Sequence, residues 1–208
     1  MYVAVPDPDA HFAHARDAGA QVLGDPHEVS TRRLSGILDG VEAAESAASE
    51  FAVRRAFSED AQAIGAVFDA AVRASWTLLD DVAQRPMFSA KDWDQLVTDH
   101  APPNALFVAT DAGHGVIGYA AVHTEAGEMF LLFVHPAHTG RGVRRALLDA
   151  AHDVLRAAGH TEAFLFTEER NTRGRAVYAA AGYRPDGTVR ESELHGVTLR
   201  ELRLVKTL

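Results

Sequence analysis

The stretch FLLFVHPAHTGRGVRRALL, residues 130–148, decides how this chain is interpreted. Its apolar start predicts a strand over 130–134, Pro136 ends that strand, and two glycines precede an amphipathic helix. A helix that begins directly after a short loop presents free backbone N–H groups and the positive end of its dipole at one spot. Such a helix start favours an anion, most often a phosphate. The stretch therefore predicts an anion site, although an ordinary turn between strand and helix has the same pattern.

The chain around this stretch alternates between strand and helix periodicity from residue 51 onward. Ser58 and Asn171 are suitable residues to begin helices, and Gly159 and Gly182 are suitable residues to end them. The helix after Gly142 is expected to bury Val143, Leu147, Ala150, Val154 and Ala158. The predicted strands are 51–56, 105–110, 116–122, 129–134, 163–167, 188–193 and 198–205, and the predicted helices begin at Ser58, Ser89, Val143 and Asn171.

The first 48 residues predict a separate accessory module and linker, followed by a main domain over 49–208. Short strands at 2–5, 21–23 and 33–38 and a helix at 10–18 give the order β-α-β-β. This order resembles half a module of the glyoxalase/bleomycin-resistance (vicinal oxygen chelate) superfamily. Half a module cannot build that family's metal site and buries too little apolar surface to be stable alone. We therefore expect it to dock on the main domain or on a second copy in a homodimer.

The composition limits the classes of function. The chain has 208 residues, 47% of them hydrophobic, and a formal net charge of −9, which argues against a nucleic-acid-binding protein. Neither a membrane span nor a secretory leader is evident in the sequence, so a cytoplasmic protein is expected. Without cysteine, and with eleven scattered histidines, the sequence predicts no metal site and no thiol nucleophile.

Two motifs together resemble the GNAT superfamily of acyl-CoA-dependent N-acetyltransferases over roughly residues 51–208. The first is the opening stretch, from Val134-His135-Pro136 through Gly140-Arg141-Gly142-Val143. The second is Asn171 followed by Tyr178 and by Gly182-Tyr183. The resemblance implies an α/β fold of the α+β type, with a mixed, mostly antiparallel sheet and helices on both of its faces.

The resemblance also implies acetyl-CoA as co-substrate, with its pyrophosphate on the two-glycine loop and its pantetheine arm between two splayed strands. Thr139 and Arg144 depart from the residues usual for this loop, so Arg144 either adds a phosphate contact or crowds the site. The implied binding residues are Leu132, Phe133, Val134, Thr139, Gly140, Arg141, Gly142, Val143, Arg144 and Asn171.

The resemblance places Tyr178 as the acid that protonates the departing thiolate. Packing of this tyrosine in the core would satisfy the same position. Glu128 is the candidate base that deprotonates the acceptor amine, and a solvated strand end is the alternative for it. His123, His135 and His138 are further candidates, because histidine titrates near neutral pH.

The implied activity is transfer of an acetyl group to an amine of a small molecule or peptide, by direct attack in a ternary complex. Trp76, Asp80, Asp81 and Trp93 lie in the segments that shape the acceptor pocket, although both tryptophans also suit a core. The alternative is a non-catalytic protein that binds coenzyme A or another ligand, with the first module as an interaction or sensor element. A weaker alternative is a drug-binding resistance protein that acts through that module.

Overall fold

The computed structural model describes residues 51–75, 88–194 and 197–208, and only the backbone of short strands before residue 51. The chain divides into two compact units, Met1–Ala48 and Ser49–Leu208. In the first unit, a central strand pairs antiparallel with three others. These strands are β1 (Tyr2–Val3), β2 (Gln21–Val22), β3 (His27–Val29) and the central β4 (Arg32–Leu38).

Three of these strands lie where the sequence predicts them, and β3 was not predicted. The predicted helix at 10–18 lies outside the described residues. The expected docking or dimerisation of this unit stays a prediction.

The second unit is built on a seven-stranded sheet. Its strands are β5 (Ala52–Arg55), β6 (Ala105–Asp111), β7 (Gly115–His123), β8 (Glu128–Val134), β9 (Glu162–Glu168), β10 (Arg184–Leu194) and β11 (Val197–Thr207). They lie in the order β10-β11-β9-β8-β7-β6-β5. Every neighbouring pair is antiparallel except β8 and β9, which are parallel. The predicted mixed, mostly antiparallel sheet is confirmed.

Four α-helices accompany the sheet in the described part of this unit. They are α1 (Ala61–Ser75), α2 (Ala90–Asp99), α3 (Val143–Ala157) and α4 (Thr172–Ala180), and short 3-10 turns lie at Ser58–Asp60 and Pro136–His138. None of the helices within the described ranges has the length and apolar character needed to cross a bilayer.

The helices cover both faces of the sheet because their apolar positions recur at helical spacing. On one face, Ile64, Phe68 and Val72 of α1 are buried against Val108 and Tyr119 of the sheet. Fully burying a side chain of this size contributes about 1.5–3 kcal/mol.

The opposite face is covered by α3, which buries Leu147, Leu148 and Leu155. The buried stripe of α3 differs from the predicted one at its end, since Ala158 is exposed. The predicted helices on both faces are confirmed.

The strands β8 and β9 separate toward the end of β8. Among the described residues, they pair only at Glu128 and Phe164, at the start of β8. Beyond this point the backbone groups of β8 that face β9 are not used in the sheet, and a gap opens beside the loop that follows Val134. This gap positions the candidate site.

Candidate active site

The loop after β8 has the backbone needed to bring main-chain donors close to a ligand. Gly140 and Gly142 both have φ of +83°, a conformation that side-chain-bearing residues rarely adopt. A Cβ built at either glycine meets no atom within 4 Å. Gly142 is the N-cap of α3 and offers no side chain, so the first N–H groups of α3 face open space. The loop therefore fits a pyrophosphate.

The Thr139 side chain does not point to that space as a donor, because its hydroxyl donates to the carbonyl of Pro136 at 2.9 Å. This hydrogen bond stabilises the 3-10 turn that precedes the glycines. The backbone N–H donors of the loop therefore remain available to a ligand although Thr139 departs from the residues usual at this position.

The side chain of Arg141 turns back to the sheet, while its predicted contact with the ligand concerns the backbone amide and stays a prediction. Its Nη2 donates to Asp111 Oδ2 at 3.0 Å and its Nη1 to His138 Nδ1 at 2.7 Å. Gly113 N–H, Arg141 and His114 together lower the pKa of Asp111 to about 2, and burial lowers the pKa of His138. The guanidinium thus ties the loop to the β6–β7 turn, a role that sequence reasoning missed.

Asp111, His114 and His138 are also the group that could hold a metal, since their ligand atoms lie within 4.8 Å of one another. Arg141 already donates to His138 Nδ1 and to one oxygen of Asp111. A cationic guanidinium does not coordinate a metal, and its presence opposes a second positive charge. Asp111, His114 and His138 therefore form, with Arg141, a charged contact between the loop and the β6–β7 turn, and they fit this role better than a metal site.

A cavity of about 540 Å³, called here the loop cavity, adjoins the glycines. Its basic residues are Arg144, Arg145 and Lys206, and its acidic residue among the described lining is Asp149. The excess of positive charge suits a ligand with several phosphates.

A second cavity of about 210 Å³, called here the splay cavity, lies in the gap beside β8. Leu132, Phe133 and Val134 line it from the strand, and Asn171 and Tyr178 line it from the opposite side. An extended chain placed there reaches the unpaired edge of β8, as an added strand would. The structure thus brings together three predicted strand residues and two residues of the second motif, Asn171 and Tyr178.

Arg144 lies in the walls of both the loop cavity and the splay cavity. Its side chain is half-buried, and no ion pair holds it to another described residue. Burial lowers the pKa of Arg144, with Tyr178 acting in the opposite sense and Arg173 in the same sense. Both predicted alternatives for Arg144, an added phosphate contact and crowding of the site, stay predictions.

Tyr178 is a half-buried residue of α4 that faces the splay cavity. Burial raises the pKa of Tyr178 to about 12, and the Arg144 guanidinium acts to lower it. The hydroxyl therefore stays protonated at neutral pH and is available as a donor. Its ring packs edge-on against Tyr183 at 5.9 Å, so the side chain combines core packing with access to the cavity.

Asn171 begins α4, as predicted. Its Oδ1 accepts from Gly174 N–H at 2.9 Å, and its Nδ2 donates to Thr167 Oγ1 at 3.4 Å. A Cβ at Gly174 would lie 2.4 Å from Asn171 Nδ2, so only glycine leaves room for this cap. The side chain is fixed where it borders the splay cavity.

Glu128 is the first residue of β8 and is the residue that pairs with Phe164 of β9. Its Oε2 accepts from His123 Nδ1 at 3.0 Å, and His123 stacks on Phe130 at 4.3 Å. Glu128 does not contribute to the walls of the splay cavity that Tyr178 lines. The structure therefore joins two candidate bases, Glu128 and His123, in one hydrogen-bonded pair. The role of Glu128 as the base stays a prediction.

The other histidine candidates have structural partners. His135 Nδ1 accepts from Ala137 N–H at 3.3 Å, and His138 Nδ1 accepts from Arg141. Both side chains hold the turn that leads to the glycines.

A third cavity of about 510 Å³, called here the aromatic cavity, opens from the splay cavity between α2 and the β9–β11–β10 part of the sheet. Trp93, predicted for this region, is buried and lies in its wall beside Phe68. Trp76, Asp80 and Asp81 lie outside the described residues. Sequence reasoning missed the carboxylates of this cavity, because they come from separate elements: Asp92, Asp99, Glu168, Glu193 and Glu201.

The chain matches the model of the Acetyltransferase (GNAT) family over residues 68–183. A mycothiol acetyltransferase from Beutenbergia cavernae is 38% identical over 87 residues, which are 40% of this chain and 29% of that protein. One from Nocardia farcinica is 31% identical over 121 residues, 54% of this chain and 36% of that protein. The chain thus spans about a third of the length of these curated relatives.

The solved structures support the same fold. The PaiA N-acetyltransferase from Thermoplasma acidophilum, in complex with coenzyme A, superposes with a TM-score of 0.62 at 16% identity and covers 76% of this chain and 99% of that one. The family match begins at residue 68, so it gives no support to the glyoxalase resemblance of the first 40 residues. The match over more than half of the chain confirms the predicted family: the chain belongs to the acetyltransferase (GNAT) family.

Proposed function

We propose that this protein is an N-acetyltransferase that uses acetyl-CoA and passes the acetyl group directly to an amine. The observation that carries the proposal is the gap between β8 and β9, with a two-glycine helix start at one end and Tyr178 in its wall. The relatives named mycothiol acetyltransferases support acetyl transfer as the class of reaction. Because the chain spans 29% of the first of them, the acceptor has to follow from the cavities of this chain.

In this reaction the amine nitrogen attacks the thioester carbonyl carbon, a C–N bond forms and the C–S bond breaks. A backbone N–H of β8 near Phe133 or Val134, two residues that line the splay cavity, would stabilise the carbonyl oxygen as it gains charge. No covalent enzyme intermediate is needed, and the chain has no cysteine to form a thioester.

Tyr178 and Arg144 serve the leaving thiolate. The Tyr178 hydroxyl donates a hydrogen bond and, as charge builds on sulfur, the proton. Arg144 favours this transfer because its positive charge opposes the rise in the pKa of Tyr178 caused by burial. The same guanidinium borders the loop cavity, where it can contact phosphate.

The proton of the amine requires a base, and the candidates from the sequence are Glu128 and His123, which form one hydrogen-bonded pair. Glu128 orients the imidazole or accepts the proton through water. Replacing Glu128 by Gln is expected to weaken the acidic limb of the pH profile of kcat/KM, because the carboxylate that sets it is gone. An unchanged limb would exclude Glu128 as the base.

Binding and turnover are tested separately. Acetyl-CoA at about 100 times its Kd should stabilise the protein by about 2.7 kcal/mol in a thermal-shift assay. Release of free thiol with a panel of amines then measures turnover. Stabilisation without thiol release from any amine would indicate the non-catalytic alternative, and the absence of both would refute the proposed function.

Tyr178→Phe is expected to lower kcat about a hundredfold or more and to leave the KM for acetyl-CoA within about twofold. Tyr183→Phe is the matched control, because Tyr183 is buried beside Tyr178 and lies outside the described walls of all three cavities. Equal losses of kcat in both variants would show that packing, and not proton donation, is what Tyr178 supplies.

A further inference from the structure

We infer that the aromatic cavity selects an acceptor with a primary ammonium group on a flat apolar body, the class of arylalkylamines. This inference rests on the proposed function, since it names the acceptor of that reaction. It is drawn from the shape, the aromatic wall and the charge of this chain's own cavity.

The first step is access to the reacting atoms. The aromatic cavity and the splay cavity share the wall residues Leu132, Phe133, Asn171 and Tyr178. A molecule in the aromatic cavity can therefore place its amine next to the edge of β8 and to Tyr178. The volume of about 510 Å³ is sufficient for a small molecule with one or two rings.

The second step is the body that the cavity accommodates. Phe68 contacts three other aromatic rings of this wall, at centroid distances of 5.4 Å to Phe88, 5.2 Å to Trp93 and 5.0 Å to Phe133. Rings held in such edge-on and tilted contacts form a rigid apolar wall. A flat apolar group gains contact with this wall, and a group without an apolar body does not.

The third step is the charge of the cavity. Its described lining contains five carboxylates, Asp92, Asp99, Glu168, Glu193 and Glu201, against a single guanidinium. That guanidinium, Arg190, pairs with Glu201 at 2.8 Å and lies over the Phe166 ring at 3.7 Å. Glu168 is neutralised by Arg170 at 2.7 Å.

Three carboxylates, those of Asp92, Asp99 and Glu193, have no ion pair with any described residue. Asp92 caps α2 by accepting from Ser89, and Asp99 accepts from Gln95, so the hydrogen-bond partners of both carboxylates are neutral groups. The cavity therefore has uncompensated negative charge above an aromatic wall, which suits a cation with an apolar body.

The fourth step is the contrast with the other end of the same cleft. The splay cavity has Arg144 and Arg173 in its described lining and no carboxylate, and the loop cavity is also predominantly basic. The charge thus changes sign along the cleft, from positive near the glycines to negative in the aromatic cavity. An anionic acetyl donor is therefore attracted from the basic end and a cationic acceptor from the acidic end, and the two meet at the wall that the splay cavity and the aromatic cavity share.

The acceptor class is tested by thiol release with four amines at saturating acetyl-CoA. Tryptamine supplies both the flat body and the ammonium, n-propylamine lacks the body, glucosamine replaces the body by hydroxyl groups, and spermidine replaces it by further charges. We expect kcat/KM for tryptamine to exceed each of the others by about tenfold or more. Preference for glucosamine, spermidine or n-propylamine overturns the inference and leaves the proposed function standing.

The role of charge is tested with a double variant and a control of equal net charge. D99N/E193Q removes two carboxylates that line the cavity, and D94N/E191Q removes two from the same helix and strand that do not line it; all four side chains are exposed. We expect the KM for tryptamine to rise about five- to tenfold in the first variant and less than about twofold in the second. Equal effects in both variants, or no effect in the first, overturn the inference.

Failure of the proposed function has a different signature. If no amine releases thiol and acetyl-CoA does not stabilise the protein, the reaction itself is refuted. The KM for acetyl-CoA should remain unchanged in both double variants, because none of the four residues lines the loop cavity or the splay cavity.

Discussion

A buried histidine makes the main domain sensitive to moderate acid. His152 of α3 is 2% exposed, and its Nε2 lies 2.8 Å from the hydroxyl of Tyr183. Burial lowers the pKa of His152 from 6.5 to about 4, and the nearby Lys206 and Arg156 act in the same sense. The imidazole is therefore neutral in the folded protein over a range of pH in which it is charged in the unfolded chain.

The sign follows from proton linkage. Because the pKa is lower in the folded state, the stability that the neutral imidazole contributes is present above about pH 6.5 and is lost as the pH falls toward 4. Between about pH 7.5 and about pH 5, the free energy of unfolding should fall by about 2 kcal/mol on account of His152 alone.

The contribution of His152 is measured by comparing the free energies of unfolding of the parent protein and of His152→Gln, with unfolding in urea followed by tryptophan fluorescence. At about pH 7.5 the variant should be less stable by about 1 kcal/mol, because the partner of the Tyr183 hydroxyl is altered. At about pH 5 it should be more stable than the parent by about 1 kcal/mol, since it has no imidazole to protonate. The two stability curves therefore cross.

Tyr183→Phe is the matched control, because it removes the partner of the His152 side chain and keeps the imidazole itself. Its stability difference from the parent should change little between the two values of pH. Parallel curves for His152→Gln and the parent would refute the reasoning, because they would show that His152 binds its proton equally in both states.

Two further predictions concern the loop and the second motif. Gly174→Ala should raise the Kd for acetyl-CoA several-fold, because the added methyl group would displace the Asn171 side chain. The free energy of unfolding should change little, because alanine favours the helix by up to about 1 kcal/mol and so offsets the weakened cap. Calorimetric titration measures the Kd and urea unfolding measures the stability, and an unchanged Kd would contradict the role of Asn171. Asp111→Asn should also raise the Kd for acetyl-CoA several-fold, because it releases the Arg141 side chain from the β6–β7 turn. The control Asp186→Asn removes a similar contact, to Arg203, outside the described walls of the cavities and should leave the Kd unchanged. Equal changes of the Kd in both variants would contradict a role of the Asp111–Arg141 contact in positioning the loop.

The sequence predicted those parts of the site that depend on neighbours along the chain. The glycine loop, the helix start and the Asn171 cap were predictable, because each is formed within a few residues. The contact of the Arg141 side chain with Asp111 was not predicted, because Asp111 lies 30 positions earlier and is brought near only by the β6–β7 turn. The sequence left the effect of Arg144 open for a similar reason, since its place in the walls of both the loop cavity and the splay cavity depends on the folded chain.

The separation of charge along the cleft shows why the acceptor was not predictable. The net charge of −9 describes the whole chain and is equally compatible with an acidic or a basic pocket. The carboxylates of the aromatic cavity come from α2, β9, β10 and β11, which are up to about a hundred residues apart, and no spacing in the sequence connects them. On the sheet, Glu168 and Glu201 lie directly opposite each other in the register of β9 and β11. Like charges in such a position destabilise a sheet unless cations offset them. Arg170 and Arg190 supply that offset, so Glu168 and Glu201 are compensated and the free negative charge of the aromatic cavity comes from Asp92, Asp99 and Glu193.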